Sequence, residues 1–167
     1  MIIVFGNPRA GTTSVAAALT EMGYNTLHSC IISDSNADMA IRDLYLAACG
    51  NSGHNAVVSW RLTPYYTQLH KIYTDAKVDV TFIYCHRSSG WECSMNQFGF
   101  SKEKIKEFKD RTKEFLTEIC PVSFLNTWSF DISKHGYFEL VKILQYDDFD
   151  ATRPFPHTNK SENVFDI

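Results

Sequence analysis

The sequence predicts an α/β fold of three layers (α/β/α), with a central parallel sheet of about five strands between helices. Short apolar runs alternate with longer amphipathic segments along the chain, which is typical of a parallel sheet covered on both faces. The first run, Ile2 to Phe5, is apolar throughout, as a strand buried on both faces should be. The length of 167 residues and a hydrophobic content of 44% predict a single domain over residues 1–167.

Five short apolar runs are predicted to be the strands. They are Ile2 to Phe5, Tyr24 to Ser29, Ala56 to Trp60, Val78 to Cys85 and Val122 to Phe130. The fourth run is the strongest of the later ones because Val80, Phe82 and Ile83 fall within it. No internal repeat, low-complexity tract or linker interrupts the chain, so we expect all five runs to join one sheet.

Six longer segments are predicted to be helices. They are Thr12 to Met22, Asn36 to Cys49, Tyr65 to Thr74, Gly90 to Gln97, Ser101 to Ile119 and Ser133 to Tyr146. Gly23 ends the first helix and Pro121 ends the fifth, because both residue types interrupt helices. Pro64 suits the first turn of the third helix, and the Ser101 side chain suits the cap of the fifth. Residues from Asp147 onward are expected to form a polar tail.

Charge and composition argue against several classes of protein. The net charge of −3 argues against a nucleic-acid binder, which usually carries a basic surplus. No apolar run approaches the roughly 20 residues that span a bilayer, and no signal peptide precedes the first strand. The five cysteines form no CxxC pair, so a zinc site is not expected and the thiols are predicted to be reduced. These features predict a cytoplasmic protein without nucleic-acid or membrane partners.

The segment from Gly6 to Ser14 follows a buried strand and opens a helix, and its glycines have the spacing of a phosphate-binding loop. Glycines let backbone N–H groups wrap an anion, and the helix N-terminus adds a favourable dipole. Thr12 stands where nucleotide triphosphatases have lysine, and Arg9 supplies a cation earlier in the loop. The alternative is a tight turn without a ligand, but Pro-Arg-x-Gly-Thr-Thr is more specific than a turn requires.

The same loop, Gly-x-Pro-Arg-x-Gly-Thr-Thr, resembles the 5′-phosphosulfate loop of sulfotransferases that use 3′-phosphoadenosine 5′-phosphosulfate (PAPS). The resemblance implies a P-loop fold like that of nucleotide kinases. It also implies transfer of a sulfuryl group from PAPS to an unknown hydroxyl or amine acceptor, without a metal. The residues that it places on the donor are Pro8, Arg9, Ala10, Gly11, Thr12, Thr13 and Ser14.

The strand ending in His86-Arg87 resembles the family's 3′-phosphate motif, in which arginine ends an apolar strand and a serine follows on the next helix. Arg87 and Ser94 would then hold the 3′-phosphate, the arginine by a charged fork and the serine by its hydroxyl. The spacing is one residue shorter than usual, and the Asp-Pro that commonly follows the arginine is missing. The alternative is an arginine that pairs with a carboxylate at a strand end.

The stretch Arg61-Leu62-Thr63-Pro64 resembles the family's Glu-Lys-Thr-Pro segment, but it departs from that segment where the chemistry lies. Arg61 and Leu62 replace the glutamate base and the lysine that stabilises the sulfuryl group. A one-residue slip would put Arg61 in the cationic role, and no carboxylate then replaces the base. Trp128 to Asp131 resembles the family's late strand ending in Tyr-Glu-Asp.

The catalytic residues predicted on this basis are Arg9 and Arg61 as cations and Asp34 as the general base. Asp34 follows the second predicted strand, at the edge where ligands bind parallel sheets, although it also suits a helix cap. Three histidines are further candidates for the base: His28, His54 and His86.

Several aromatic and charged residues have both a functional and a structural interpretation. Trp60, Trp91 and Tyr65 suit stacking on adenine or an acceptor ring, although aromatic residues more often pack in a core. The charged run from Lys102 to Lys113 is predicted to be a solvated helix face. Asn159 to Ser161 in the tail would be able to fold over the nucleotide.

Two other functions remain open on the sequence. A small-molecule or nucleotide P-loop kinase would need the missing loop lysine and a magnesium-binding carboxylate after a strand, for which Asp131 is the closest approximation. A non-catalytic nucleotide-binding protein would have kept the loop and lost the base, as the Arg61-Leu62 replacement suggests. The acceptor (sugar, phenol, amine, lipid or peptide) and the oligomeric state are not indicated by any motif.

Overall fold

A computed structural model of the chain describes residues 1–28, 39, 41–44, 53–119 and 127–157. The strands are β1 (Ile2–Gly6), β2 (Thr26–His28), β3 (Ala56–Val58), β4 (Thr81–His86) and β5 (Thr127–Asp131). All of them pair in parallel, in the order β2-β3-β1-β4-β5. The predicted parallel sheet of about five strands is confirmed.

The helices are α1 (Thr12–Glu21), α2 (Tyr66–Asp75), α3 (Trp91–Gln97), α4 (Lys102–Glu114) and α5 (Tyr137–Leu144). A 3₁₀ helix (Trp60–Tyr65) leads into α2, and a π-helical turn (Phe115–Ile119) ends α4. Residues 41–44 are also helical, whereas most of the helix predicted over Asn36 to Cys49 lies outside the described residues. No described helix is long and apolar enough to cross a membrane.

Helices cover both faces of the sheet. On one face, Val15 and Leu19 of α1 and Leu140 of α5 pack against alternate side chains of the strands. On the other face, α2 and the 3₁₀ helix supply Leu69 and Leu62 to a second core. Complete burial of such side chains stabilises the fold by about 1.5–3 kcal/mol each. The apolar residues that alternate along the sequence therefore stabilise the two cores on either side of the sheet.

An aromatic cluster joins the central strands to the second layer of helices. The Phe5 ring of β1 stacks on Tyr66 with 5.0 Å between centroids and meets Phe115 edge-on at 5.3 Å. Tyr84 of β4 stacks on Phe115 at 4.2 Å. These contacts hold the π-helical turn at the end of α4 against β1 and β4, and they therefore determine where α4 lies.

The prediction that the last helix begins at Ser133 is wrong, because the chain first turns around Asp131. The Ser133 N–H donates to the Asp131 carboxylate at 3.0 Å, and the Lys134 and His135 N–H groups donate to the Asp131 carbonyl. Only at Tyr137 does α5 begin, where the Gly136 N–H donates to Glu139 of the first turn. Local hydrogen bonding by serine and aspartate competes with helix formation in this way.

The segment after α5 is not simply a polar tail. Phe149 and Phe155 pack on Tyr137, with ring centroids 4.7 and 5.1 Å away, and Phe155 also contacts Phe130 at 5.7 Å. Residues 147–157 therefore lie along the first core, and residues 158–167, which include the predicted tail residues Asn159 to Ser161, lie outside the described residues. The cap predicted for α4 is confirmed, since Ser101 Oγ accepts the Lys104 N–H at 3.2 Å.

The pairing of β1 with β4 places the ends of these two strands side by side. Gly6 of β1 is in register with Cys85 of β4, so the loop after β1 and the residues after β4 leave the same edge of the sheet. A Cβ added to Gly6 would overlap the backbone carbonyl of Cys85. Glycine at this position is therefore a requirement of the strand pairing as well as of the loop.

We predict that Gly6→Ala lowers the free energy of unfolding by about 1–3 kcal/mol, because the added methyl group forces two buried strands apart. Urea denaturation measures the loss. The control is Gly53→Ala, whose added Cβ would meet only the flexible end of Asn25 at 3.4 Å and should change stability little. Equal stability of the two variants would contradict the predicted close approach.

Candidate functional site

The loop between β1 and α1 depends on two residues with left-handed backbone conformations. Arg9 has a φ of 62° and Gly11 a φ of 99°. A Cβ at Gly11 would overlap the side chain of Ile132, so glycine is required there by space as well as by conformation. The Ala10 N–H donates to the Asn7 carbonyl at 3.2 Å and closes the turn. The second glycine of the motif therefore allows the loop to pack closely on the residues after β5.

Neither a side-chain cap nor an acidic residue of the first turn competes with an anion at the N-terminus of α1. Gly11 is the N-cap and offers no side-chain cap, and the first turn contains no acidic residue. The N–H groups of a first helical turn lack partners within the helix, and the helix dipole favours a negative charge there. Thr12 and Ser14 are buried in this turn and Thr13 is half-buried, as a cradle around a small anion requires.

Two side chains from distant parts of the chain and one side chain of the loop itself hold the loop in place. Trp91 Nε1 donates to the Pro8 carbonyl at 2.8 Å, and the Cys85 thiol donates to the Ala10 carbonyl at 3.3 Å. Burial raises the pKa of Cys85 to about 12, so the thiol keeps its proton. Asn7, only 3% exposed, donates through Nδ2 to the Phe108 carbonyl at 2.7 Å and to Thr112 at 2.6 Å. The loop is therefore fastened to β4, α3 and α4.

Arg9 connects the loop with the second predicted motif. Its Nε donates to Ser94 Oγ at 3.1 Å, although the two residues are 85 positions apart in sequence. Its guanidinium carbon lies 3.6 Å from the centroid of the Phe98 ring. Burial, and then the positive charge of Arg87, lower the pKa of Arg9 from its ordinary value. The structure therefore brings Arg9, Arg87 and Ser94 into one neighbourhood.

Arg87 follows β4, is half-buried and forms neither an ion pair nor a hydrogen bond with the described part of the chain. The alternative interpretation, an arginine paired with a carboxylate at the strand end, has no support among residues 1–28, 39, 41–44, 53–119 and 127–157. A half-buried guanidinium without a counter-ion is a natural receptor for an anionic ligand.

The carboxylate at the end of the neighbouring strand, Asp131, instead organises the loop after Arg87. Its Oδ1 accepts hydrogen bonds from the Ser88 N–H at 3.1 Å and from the Ser133 hydroxyl at 2.6 Å. Ser133 Oγ in turn accepts the N–H groups of Ser88 and Ser89 at 3.0 and 3.2 Å. Burial alone would raise the pKa of Asp131, but hydrogen bonds from Ser133 and Ser88 outweigh it and hold that pKa well below its ordinary value.

A cleft of about 320 Å³ opens between the loop, the end of β4 and α4. Its cationic lining residues are Arg87, Lys109 and Lys113, and its acidic residue is Glu92, which pairs with Lys109 at 2.7 Å. The other lining residues are Asn7, Ala10, His86, Ser88, Gly90, Trp91, Cys93 and Thr112. The cleft thus continues from the phosphate-binding loop along a predominantly positive wall.

The Arg61 segment lies on the other side of β1, next to β3, and Arg61 does not line the cleft. Arg61 is exposed on the 3₁₀ helix, 5.1 Å from the Trp60 ring. Leu62 is fully buried in the second core, so it is a packing residue. Thr63 Oγ1 bonds both the N–H and the carbonyl of Gly6, which ties this segment to the start of the loop. A catalytic role of Arg61 stays a prediction.

The four candidates for the general base lie in different places. Asp34 lies outside the described residues, and His28 is exposed at the end of β2, two strands away from β1. His54 precedes β3 and bonds Asn25 at the opposite edge of the sheet, which places it away from the loop. His86 lines the cleft, with its Nε2 2.9 Å from Ser129 Oγ, and burial lowers its pKa. His86 is the candidate nearest the cleft.

The predicted aromatic platforms differ in availability. Trp91 is almost fully buried and packs with Met95, Ile105 and Phe108 in a small core between α3 and α4. Its edge borders the cleft, but its N–H is used by the loop. Trp60 is 40% exposed beside Arg61. Trp91 therefore has the structural role that the sequence also allowed.

Asn7, Lys109 and Lys113 contribute to the site, although the sequence does not mark them as site residues. Asn7 occupies a variable position of the motif, and nothing in the sequence shows that its amide reaches α4. Lys109 and Lys113 were assigned to a solvated face, although they also line the cleft. Their spacing of four residues predicts that they lie on one side of a helix, but it does not indicate that this side faces the loop. Within the described residues, no group of three or more His, Cys, Asp or Glu side chains is arranged to hold a metal.

Comparison with known proteins identifies relatives in family and in fold. A family described as a sulfotransferase domain matches residues 1–106, more than half of the chain. No curated protein shows significant sequence similarity to it. YorR from Bacillus subtilis, solved in complex with phosphorylated GDP, is similar in structure, with a TM-score of 0.62 and 16% identity over 87% of this chain and 93% of YorR. This similarity supports the predicted P-loop α/β fold and, at this identity, the fold alone.

A second solved structure, a gluconokinase from Sinorhizobium meliloti 1021, aligns with a TM-score of 0.45 and 21% identity over 86% of each chain. The family match covers the loop after β1, the Arg61 segment and the motif with Arg87 and Ser94. It ends within α4, before Lys109 and Lys113, and does not include β5 or α5.

We predict that Asp131→Asn lowers the free energy of unfolding by about 1.5–3 kcal/mol at pH 7, the range for hydrogen bonds to a charged group. Because the folded-state pKa of Asp131 lies below the unfolded value of about 3.9, its stabilisation is complete above about pH 5 and declines as the pH falls through 4. Urea denaturation should show that the difference in free energy of unfolding between wild type and variant is smaller at pH 3 than at pH 7.

The control for this prediction is Asp150→Asn. Asp150 makes the same local turn, accepting the Thr152 N–H at 3.1 Å and the Thr152 hydroxyl at 2.6 Å, but it is exposed. Replacing Asp150 should lower the free energy of unfolding less than replacing Asp131 does. A difference between wild type and Asp131→Asn that stays constant between pH 7 and pH 3 would contradict the proposed role of the carboxylate charge.

Proposed function

The chain belongs to the sulfotransferase domain family, and on this premise we propose that it transfers a sulfuryl group from PAPS to a hydroxyl or amine acceptor. We propose further that it is a cytoplasmic, single-domain enzyme that needs no metal and has neither nucleic acid nor membrane as a partner. The acceptor class is left open, because no described residue forms a recognition motif for a sugar, phenol, amine, lipid or peptide.

The observation that carries the proposal is the proximity of two arginines, neither of which forms an ion pair with a carboxylate in the described part of the chain. Arg9 and Arg87 lie close enough for the charge of one to lower the pKa of the other. Asp131, the carboxylate on the adjacent strand, is engaged by Ser88, Ser133 and Lys134. Two uncompensated guanidinium groups near a helix N-terminus favour a ligand with two anionic groups, such as a nucleotide with both a 5′- and a 3′-phosphate.

The residues present fit the donor. The first turn of α1 and Arg9 suit the 5′-phosphosulfate, with Pro8, Ala10, Gly11, Thr12, Thr13 and Ser14 forming the rest of the loop. Arg87, which lines the cleft, suits the 3′-phosphate, and so does Ser94, whose Oγ accepts a hydrogen bond from Arg9 Nε. When bound, PAPS supplies the activated sulfuryl group.

In this proposal the protein contributes charge and orientation. Arg9 stabilises negative charge at the 5′ end of the donor, and the backbone N–H groups of the loop share that charge. Arg61, on the β3 side of the loop, is the proposed second cation, and Asp34 remains the proposed base that takes the acceptor proton. His86 lines the cleft, and burial lowers its pKa.

One observation favours a second function, a nucleotide-binding protein without transferase activity. Leu62, which stands at the position of the family's catalytic lysine, is fully buried in the core. A protein that binds the donor product but shows no turnover with any acceptor would have this function. A kinase is less favoured, because Thr12 replaces the loop lysine and Asp131, the candidate magnesium ligand, is already used by the serine turn.

We predict that Arg9→Ala weakens binding of 3′,5′-adenosine bisphosphate by about 1.5–3 kcal/mol, the range for a charged hydrogen bond. Calorimetric titration at constant salt measures the affinity. Arg153→Ala is the matched control, because Arg153 pairs with Glu21 at the far end of α1 and should leave the affinity unchanged.

The same titration with ATP and magnesium separates the alternatives. Binding of the bisphosphate in preference to ATP supports the sulfotransferase proposal, whereas the reverse preference supports a kinase. An unchanged affinity in Arg9→Ala would remove the central claim about the loop.

We predict that Arg87→Ala lowers the preference of the protein for 3′,5′-adenosine bisphosphate over AMP by about tenfold or more, since the two ligands differ only in the 3′-phosphate. The affinity for AMP itself should change little, because Arg9 and the first turn of α1 are intact. Titration of both nucleotides into wild type and variant gives the two ratios. A wild-type preference in the variant would refute the assignment of Arg87.

A further inference from the structure

We propose that Lys109 and Lys113 of α4 form a second cationic wall of the 3′-phosphate site, in the cleft that Arg87 also lines. The proposal rests on the function proposed above, and it assigns a binding role to a helix face that lies beyond the residues matched by the family. It predicts that this protein holds the 3′-phosphate between the end of β4 and α4.

The cleft brings this helix face to the donor site. Arg87 lines one side of the cleft of about 320 Å³, and Lys109 and Lys113, one helical turn apart, line another. Thr112 lies between them on the same helix and also lines the cleft. A ligand anion bound to Arg87 in this cleft would therefore share the cleft with the two ammonium groups.

The position of α4 is fixed by buried hydrogen bonds, so the lysines are held by a rigid element. Asn7 of the phosphate-binding loop donates to the Phe108 carbonyl and to Thr112 Oγ1, and Tyr84 OH lies 3.1 Å from the same Thr112 oxygen. Asn7 therefore links the loop directly to the helix that carries the two lysines.

The charge balance of the cleft leaves room for an anion. Glu92 is the acidic lining residue and pairs with Lys109, both side chains being about half exposed. Lys113 has no ion pair within the described ranges of the chain. Elsewhere on α4 lysines pair with acids of their own helix, as Lys106 does with Asp110 at 2.7 Å. Lys113 and Arg87 therefore remain as uncompensated cations facing the same space.

The test compares two pairs of lysines on the same helix. Lys109→Ala combined with Lys113→Ala should weaken binding of 3′,5′-adenosine bisphosphate about threefold to twentyfold, the range for two partly exposed ion pairs. Binding of AMP should change less than about twofold in the same variant. Lys102→Ala combined with Lys106→Ala removes the same charge with the same spacing outside the cleft, and it should leave both affinities unchanged. Calorimetry at 150 mM salt provides the affinities.

Two further variants separate a binding role from a structural one. Lys109→Arg combined with Lys113→Arg keeps the charges and should retain the preference for the bisphosphate. Glu92→Gln releases Lys109 from its ion pair and should tighten bisphosphate binding about twofold, since exposed pairs are weak. If the lysines had only a structural role, the alanine variant would not weaken bisphosphate binding while Glu92→Gln tightens it. Nor would these changes be absent from AMP binding.

The outcomes distinguish the two proposals. If the Lys109/Lys113 alanine variant keeps the wild-type ratio of bisphosphate to AMP affinity, the lysine wall is overturned while the function tested by Arg9→Ala stands. An equal loss in the Lys102/Lys106 variant also overturns it, because the effect would then be long-range charge. If wild type binds neither 3′,5′-adenosine bisphosphate nor AMP, the proposed function and this inference both fail.

Discussion

The parallel pairing of β1 with β4 is the constraint on which the site depends. Gly6 in register with Cys85 brings the loop after β1 and the arginine after β4 to one edge of the sheet. The close approach of the two backbones is possible only because Gly6 has no side chain. The aromatic packing of Phe5 and Tyr84 on Phe115 buries both strands and extends the same constraint to α4. Loop, arginine and helix are therefore positioned by one packing arrangement.

Polar side chains that are themselves buried complete this arrangement. Trp91 and Cys85 donate hydrogen bonds to carbonyls of the loop, and Asn7 donates to α4. The Asp131 carboxylate accepts a hydrogen bond from the turn that follows Arg87. The Asn7 Nδ2, the Trp91 Nε1 and the Asp131 carboxylate are hydrogen-bonded in this way, whereas the Asn7 Oδ1 is buried without a partner among the described residues. Among the residues that the structure describes, the guanidinium groups of Arg9 and Arg87 have no carboxylate partner. Such division between anchoring groups and available cations is what a preorganised anion site requires.

The donor and acceptor sides of the site differ in how far their chemistry can be assigned. On the β4 side, the loop, Arg87 and α4 surround a cleft whose charge suits a bisphosphorylated nucleotide. On the β3 side, Thr63 accepts a hydrogen bond from Gly6 at the start of the loop, and Leu62 packs in the core. This segment therefore resembles the family's segment in its position but lacks the family's catalytic side chains. At the positions of the family's base and lysine this protein therefore has Arg61 and Leu62.

The sequence by itself determined the parallel α/β fold, the loop and the cation within it, because these depend on local features: apolar runs, glycine spacing and the residues that follow a strand. Boundaries failed where side chains competed with helix formation, as at Ser133, whose bonds to Asp131 delay α5 until Tyr137. Only the tertiary structure decided that Arg87 lacks a carboxylate partner among the described residues, that Asn7 reaches α4 and that Lys109 and Lys113 face the cleft. These properties depend on which distant elements pack together, and no local pattern of residue types encodes that information.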